Sequence, residues 1–137
     1  MKEPELHAVL VCGSREWTDR TTILGRLKRY PRGTILIHGA CGHFDEKHDM
    51  LVGADRIAAD VGEEIGHCPL SMPAPWKKRG NAAGPMRDRL MVEVLARLRW
   101  CGYLTFVEAF PMPSSRGTWI TVRYARKMHF PVTVNDP

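Results

Sequence analysis

None of the hydrophobic runs in these 137 residues approaches the ~20 residues that a membrane-spanning helix requires. The opening stretch Met-Lys-Glu-Pro-Glu leads only into a short apolar strand, with no signal region behind it, so a cytoplasmic protein without a membrane partner is expected. Its four cysteines (Cys12, Cys41, Cys68 and Cys101) show no Cys-x-x-Cys spacing, and reduced, structural thiols are the expected state. The Gly-x-Gly-x-x-Gly dinucleotide fingerprint and the Gly-x-x-x-x-Gly-Lys-[Ser/Thr] phosphate loop are both missing, which removes the support for an NAD enzyme or a P-loop ATPase. The chain also has no polybasic run, low-complexity tail, internal repeat or linker. It reads as one domain over 1–137, and no cofactor is implied.

What is present is the composition of a globular protein, 44% hydrophobic and 26% charged, long enough to bury roughly two-thirds of its unfolded surface. The net charge of +5, from 20 basic and 15 acidic residues, favours anionic partners. A phosphorylated small molecule and a nucleic acid both satisfy it.

Apolar runs over 6–12, 34–37, 65–70, 104–110 and 131–134 predict five short strands. Between them, helical spacing predicts helices. Thr18 is the expected N-cap of the first, with Ile23, Leu24, Leu27 and Tyr30 on one face and Pro31 closing it. The second covers 53–64. The third covers 86–100, with Met86, Leu90, Met91, Val94, Leu95 and Leu98 inward, and the last 119–128. A long loop is expected over 71–85. This alternation predicts an α/β fold: one Rossmann-like domain with a mostly parallel sheet of about five strands and helices on both faces. Ligands of such sheets bind beyond the carboxyl ends of the strands, where the strand order reverses.

The loops at that end carry the candidate residues. After the fourth strand, Ser114, Ser115, Arg116, Gly117 and Thr118 lead into a helix. Free N–H groups and the positive end of the helix dipole there favour an anion. Gly117 permits close backbone approach, the hydroxyls donate, and Arg116 adds a forked cation. Gly13, Ser14 and Arg15 offer the same chemistry after the first strand. In the second loop, Asp55 either complements its own helix dipole or contacts a ribose hydroxyl. His38 either touches ligand or hydrogen-bonds the neighbouring loop. Arg87 and Arg89, expected in the opening turn of the third helix, make sense there if an anion lies over it. Trp76 either stacks on a base or packs as an ordinary loop aromatic. The segment from Cys41 through His43, Asp45, Glu46 and His48 to Asp49 has metal-ligand residue types but no paired Cys-x-x-Cys or His-x-x-x-His spacing. No metal site is therefore expected there, and the segment reads as a solvated or mobile insert.

Taken in order, these pieces resemble the SLOG superfamily, the group named after the DNA-processing protein Smf/DprA and the LOG cytokinin-activating enzymes. They are most similar to its YspA/cpYpsA-related family. The carrying residues are Gly13 through Asp19, His38-Gly39-Ala40 with Gly53-Ala54-Asp55, Pro75-Trp76, Gly80 through Arg89, Ala109-Phe110-Pro111 and Arg116-Gly117-Thr118. The resemblance implies a Rossmann-like fold that binds a nucleotide or nucleotide-derived ligand at the strand ends, with Gly39, Asp55 and Trp76 around the sugar or base. The family's compact His-Gly-x-Ala-x-Gly-Ala-Asp loop is lengthened here by residues 41–52, which would reshape the pocket, cover it or offer a partner surface.

The LOG enzymes release ribose 5′-phosphate from a nucleotide base with an arginine in Met-x-x-Arg and a glutamate in Gly-Gly-x-Gly-Thr-x-x-Glu. Met86-Arg87-Asp88-Arg89 is similar to the first, so Arg89 is the catalytic candidate. In the second motif Thr121 stands where the glutamate would be, and Ser114-Ser115 replace glycines. Glu108 and Asp55 are the acids left to substitute. Nucleotide binding is thus the first expectation, with N-glycosidic hydrolysis and single-stranded nucleic-acid binding as alternatives. The resemblance also implies a homodimer, with the exposed faces of the last two helices as the contact.

Overall fold

The first apolar run forms strand β1 (His7–Gly13), apolar from Ala8 to Cys12 because helices cover both of its sides. Ala8, Leu10 and Cys12 join one core layer, Val9 and Val11 the other. The structure is a computed structural model that describes residues 4–137. The first three residues, part of the N-terminal stretch read for a signal, lie outside the described residues.

Helix α1 (Arg20–Leu27) and strand β2 (Ile35–His38) follow, then a hairpin of β3 (His43–Asp45) and β4 (Met50–Val52), helix α2 (Ala54–Glu64) and strand β5 (Cys68–Ser71). A one-turn helix α3 (Trp76–Arg79) and a 3₁₀ turn (Gly80–Ala82) lead into the long helix α4 (Ala83–Trp100). Strand β6 (Leu104–Phe110), helix α5 (Arg116–Lys127) and strand β7 (Val132–Val134) complete the chain. The main sheet runs β5-β2-β1-β6-β7 and every neighbouring pair is parallel. The expected α/β fold with a five-stranded parallel sheet is therefore observed. Ile23 and Leu27 of α1 and Ile57, Ala58 and Val61 of α2 pack on one face. Met91, Val92 and Leu95 of α4 and Val122 and Ala125 of α5 pack on the other. Each fully buried aliphatic side chain contributes about 1.5–3 kcal/mol.

Several boundaries differ from the sequence expectation. Asp19, not Thr18, caps α1: its carboxylate accepts from Thr22 N (3.1 Å) and Thr22 Oγ1 (2.6 Å). The third strand starts at Cys68 because Ile65 caps α2 and Gly66, at φ 87°, turns the chain. Residues 76–85 are helical rather than loop, and α4 begins three residues early. Ala83 and Gly84 are small enough to be buried there, and Pro85 is tolerated in a first turn. Arg87 and Arg89 consequently fall past the opening turn, and the dipole argument does not apply to them. The inward face of α4 also shifts. Met86 and Leu90 are about half exposed, while Arg87 is buried in line with Met91 and Leu95.

Within the insert 41–52, residues 43–52 form an antiparallel hairpin, registered His43↔Val52, Phe44↔Leu51 and Asp45↔Met50, whose turn is solvated as one of the two expectations had it. The Asp45 carboxylate closes its turn by accepting from His48 N (3.2 Å) and pairing with His48 Nδ1 (2.8 Å). At its base Gly42 and Gly53, at φ 120° and 109°, cross so closely that a β-carbon on Gly53 would lie 2.7 Å from Gly42 Cα.

Candidate functional site

From β1 the chain steps outward through β2 to β5. It then returns through α4 to β6, on the other side of β1. The order therefore reverses between β1 and β6, and the loops leaving their carboxyl ends diverge. A cavity of about 490 Å³ opens between them, within the range of small-molecule sites. Its lining includes Cys12 through Glu16, Asp55, Trp76, Arg87, Asp88 and Ser114 through Thr118.

The α5 wall is the most polar. Helix α5 starts at Arg116, so Arg116, Gly117 and Thr118 are its first turn, not a loop before it. Ser115 occupies the N-cap, but its Oγ accepts from Met112 N (2.9 Å) and makes no bond to the helix. The amides of Gly117 and Thr118 accordingly find no acceptor among the described residues. A β-carbon on Gly117 would meet only Asp88 Oδ2, at 4.0 Å, so the backbone there lies open to the cavity.

The β1 loop is the opposite, a closed structural knot. Ser14 N donates to Phe110 O (3.0 Å), Ser14 O accepts from Ala54 N (2.9 Å), and Ser14 Oγ accepts from Glu16 N (3.0 Å). These bonds tie β1, β6 and α2 together at one residue. Gly13 serves the same packing: a β-carbon there would lie 2.5 Å from Ala54 Cβ and 2.7 Å from Phe110 O. Trp17 is fully buried edge-on against Phe110 (5.4 Å between ring centres), and its carbonyl accepts from Gly53 N (2.8 Å). Arg15 leaves this knot and lies over the ring of Trp76 (5.5 Å), which is 46% exposed at the cavity.

The third wall differs most from expectation. Arg87 is buried, pairs with Asp88 Oδ1 (2.7 Å), and donates to Gly39 O, Met72 O and Cys41 Sγ. Its guanidinium is spent on joining α4 to the β2 loop. Gly39 is small to admit that guanidinium and does not line the cavity. Arg89 is also outside it, exposed and 5.6 Å from the ring of Tyr124. Asp55 accepts from Cys41 N (3.2 Å), while its Oδ1 is buried without a partner. Burial raises its pKa to about 6, opposed by the Cys41 amide and the charge of Arg87. His38 Nδ1 accepts from Ala40 N (3.1 Å), the loop contact foreseen as one alternative. Burial, then Arg56 and Arg87, lower its pKa to about 4.

Of the two acids left to replace the missing glutamate, Glu108 is not in the cavity. It is wholly buried between β6, α1 and the C-terminal segment, gripped by Arg26 Nε and Nη2 (2.9 Å each), Tyr30 OH (2.5 Å) and Asn135 Nδ2 (3.1 Å). Thr121 does line the cavity, but its hydroxyl donates to Gly117 O (3.2 Å) within α5. The carboxylates that reach the cavity are Asp55, Glu16 and Asp88. Glu16 and Asp88 lie inside the quoted motifs, yet nothing in residue type alone separated them from neighbouring charges.

No family model matches the sequence. The fold is similar to the crystal structure of DNA processing protein A (DprA) from Streptococcus pneumoniae, with a TM-score of 0.48 and 13% identity. That match covers 93% of this chain and 58% of the other, so the chain spans little more than half of that protein. The sequence is 33% identical over 132 residues to the Gene 61 protein of Mycobacterium phage D29, covering 93% of this chain and 94% of the relative. At that identity over nearly the full length of both, the chain belongs to the same family as the phage D29 Gene 61 protein.

Proposed function

We propose that the cavity binds a nucleotide or nucleotide-derived small molecule with a phosphate over the first turn of α5. The observation carrying this reading is the pair of unpartnered amides of Gly117 and Thr118, beside Arg116, opening on a cavity of nucleotide size. Ser114 and Thr118 add hydroxyls, and Arg15 adds a second cation from the facing loop. Trp76 offers an exposed face to a base. The resemblance to the SLOG superfamily supports the same reading. A thermal-shift panel of mono-, di- and triphosphates, cyclic nucleotides, ADP-ribose-type compounds and short oligonucleotides tests it. A ligand at a hundred times its dissociation constant adds about 2.7 kcal/mol. Arg116→Ala should abolish the shift and leave the unliganded melting temperature unchanged; an undiminished shift removes the centre of the proposal.

A second reading, hydrolysis of an N-glycosidic bond, draws on the carboxylates of Glu16, Asp55 and Asp88 that line the cavity with Arg116. It requires release of free base or ribose phosphate from the stabilising nucleotide, reduced by Glu16→Gln or Asp88→Asn. Binding without turnover leaves the first reading standing alone. Oligonucleotide binding with steep salt dependence, drawing on Lys77, Lys78 and Arg79 outside the cavity, is the outcome that replaces both.

A further inference from the structure

The walls of the cavity are balanced in charge. Three arginines line it, Arg15, Arg87 and Arg116, against three carboxylates, Glu16, Asp55 and Asp88. Arg87 and Asp88 neutralise one another through the 2.7 Å contact of Nε with Oδ1. Oδ2 of Asp88 makes no hydrogen bond among the described residues. That oxygen faces the first turn of α5, 4.0 Å from where a β-carbon on Gly117 would stand. Asp55 Oδ1 is buried at the same cavity, also without a partner. A phosphate seated on the amides of Gly117 and Thr118 thus has one guanidinium beside it, Arg116, and one carboxylate oxygen against it. A seat for multiply charged phosphate needs an excess of cations, and this cavity has none.

Resting on the nucleotide reading above, we propose that the phosphate bound here is a diester, as in a cyclic nucleotide or a nucleotide joined through its phosphate to a second group, and that Asp88 turns terminal monoesters away. A diester carries a single negative charge, which Arg116 and the α5 dipole match. A monoester carries about two at neutral pH and loses its last proton near pH 6. The extra charge would lie against Asp88 Oδ2 in a cavity with little water to screen it. Selection of this kind rests on a repulsive element as much as on an attractive one. The hydroxyls and base N–H groups of such a ligand are also the donors that Asp55 Oδ1 and Asp88 Oδ2 lack.

Calorimetric titration with matched compounds tests the proposal: ribonucleoside 5′-monophosphates of the common bases, their methyl phosphodiesters and their 3′,5′-cyclic forms. EDTA is present so that no metal ion bridges Asp88 and the phosphate. At about pH 8 a diester should bind at least about tenfold more tightly than its own monoester. At about pH 5.5, where the monoester mostly carries one charge, the two should agree within about threefold. The groups around the seat are Arg87 on α4, Arg116 on α5, Cys12 on β1, Arg15 and Glu16 after β1, Cys41 after β2 and Asp55 on α2. They act alike on both members of a pair, so the ratio isolates the charge of the phosphate. Asp88→Asn should raise monoester affinity at about pH 8 at least about tenfold and leave the diester within about threefold. Its amide oxygen can still accept from Arg87, and the unliganded melting temperature checks that the fold is kept. Monoesters equal to diesters at about pH 8, or a ratio that does not move with pH, overturn the proposal and leave nucleotide binding intact. Oligonucleotide binding without binding of the small diesters also overturns it, and no binding by any compound removes both readings. The pH series uses the wild-type chain, so it decides the matter even where Asp88→Asn fails to fold.

Discussion

The guanidinium of Arg87 occupies the space that a side chain on Gly39 would need, and it donates to the Gly39 carbonyl. One residue is small because the other is large, 48 positions along the chain. Gly39→Ala is expected to expel the guanidinium and strip Asp88 and the Met72 carbonyl of their partner. The loss should be about 2–4 kcal/mol in urea unfolding, the cost of disturbing a buried charged network. An unchanged midpoint would show that Arg87 has another resting place.

Two glycines of the cavity wall should behave oppositely. Gly13→Ala drives a β-carbon into Ala54 and the Phe110 carbonyl, and should destabilise the unliganded protein by about 1–3 kcal/mol. Gly117→Ala finds open space within a helix, and should stabilise it by about 0.5–1 kcal/mol while weakening nucleotide binding. Paired melting curves and calorimetric titrations separate the two effects. Equal destabilisation by both substitutions would contradict the geometry.

Glu108 is the most deeply held charge in the molecule. Arg26→Met removes its cation and leaves a carboxylate with no exposed surface facing only Tyr30 and Asn135, an expected loss of about 3–5 kcal/mol. Adding Glu108→Gln to Arg26→Met should recover part of that loss, because no charge then remains buried. Chemical denaturation of the single and double variants checks it.

Asp55 and His38 should give opposite pH dependences. The folded pKa of Asp55 is raised from 3.8 to about 6, so its favourable contribution is complete below pH 4 and disappears as pH rises through 6. In Asp55→Asn the gain in unfolding free energy over wild type should therefore grow from near zero at pH 4 toward about 3 kcal/mol at pH 7. The folded pKa of His38 is lowered from 6.5 to about 4, so its contribution is complete above pH 6.5 and is lost as pH falls through 4. His38→Gln should thus gain on wild type on acidification. Denaturation series at half-unit pH steps read both differences, and two parallel difference curves would be incompatible with these environments.

The sheet is legible because buried parallel strands are written as largely apolar runs, and the expected strand 104–110 matches β6 to the residue even though Thr105 and Glu108 interrupt it. The hairpin is not. Its strands are three residues long: Phe44 stands alone between His43 and Asp45, and Met50, Leu51 and Val52 follow one another without alternating with polar residues, so no period of two marks either strand. Along α4 the hydrophobic pattern finds Met91 and Leu95 but fails over the first turns, where the inner side is Ala83, Gly84 and a buried arginine, types that a hydrophobic count assigns elsewhere. In the cavity, the glycine and hydroxyl loops announced where the site lies. Which of their residues face it depended on contacts no local pattern records. Gly13 and Gly117 look alike in sequence, and the nearness of Ala54 and Phe110 to the first of them tells the two apart.

The crossing of Gly42 and Gly53 at the base of the hairpin brings the entry and exit of that excursion almost together. An excursion anchored at so narrow a neck, with Leu51 and Val52 packed against the core, leaves its exposed turn free to change: residues 46–49 can be extended or exchanged for a tag while β2 and α2 keep their positions. For an engineer, that turn is the port through which a reporter or a crosslinker enters this protein.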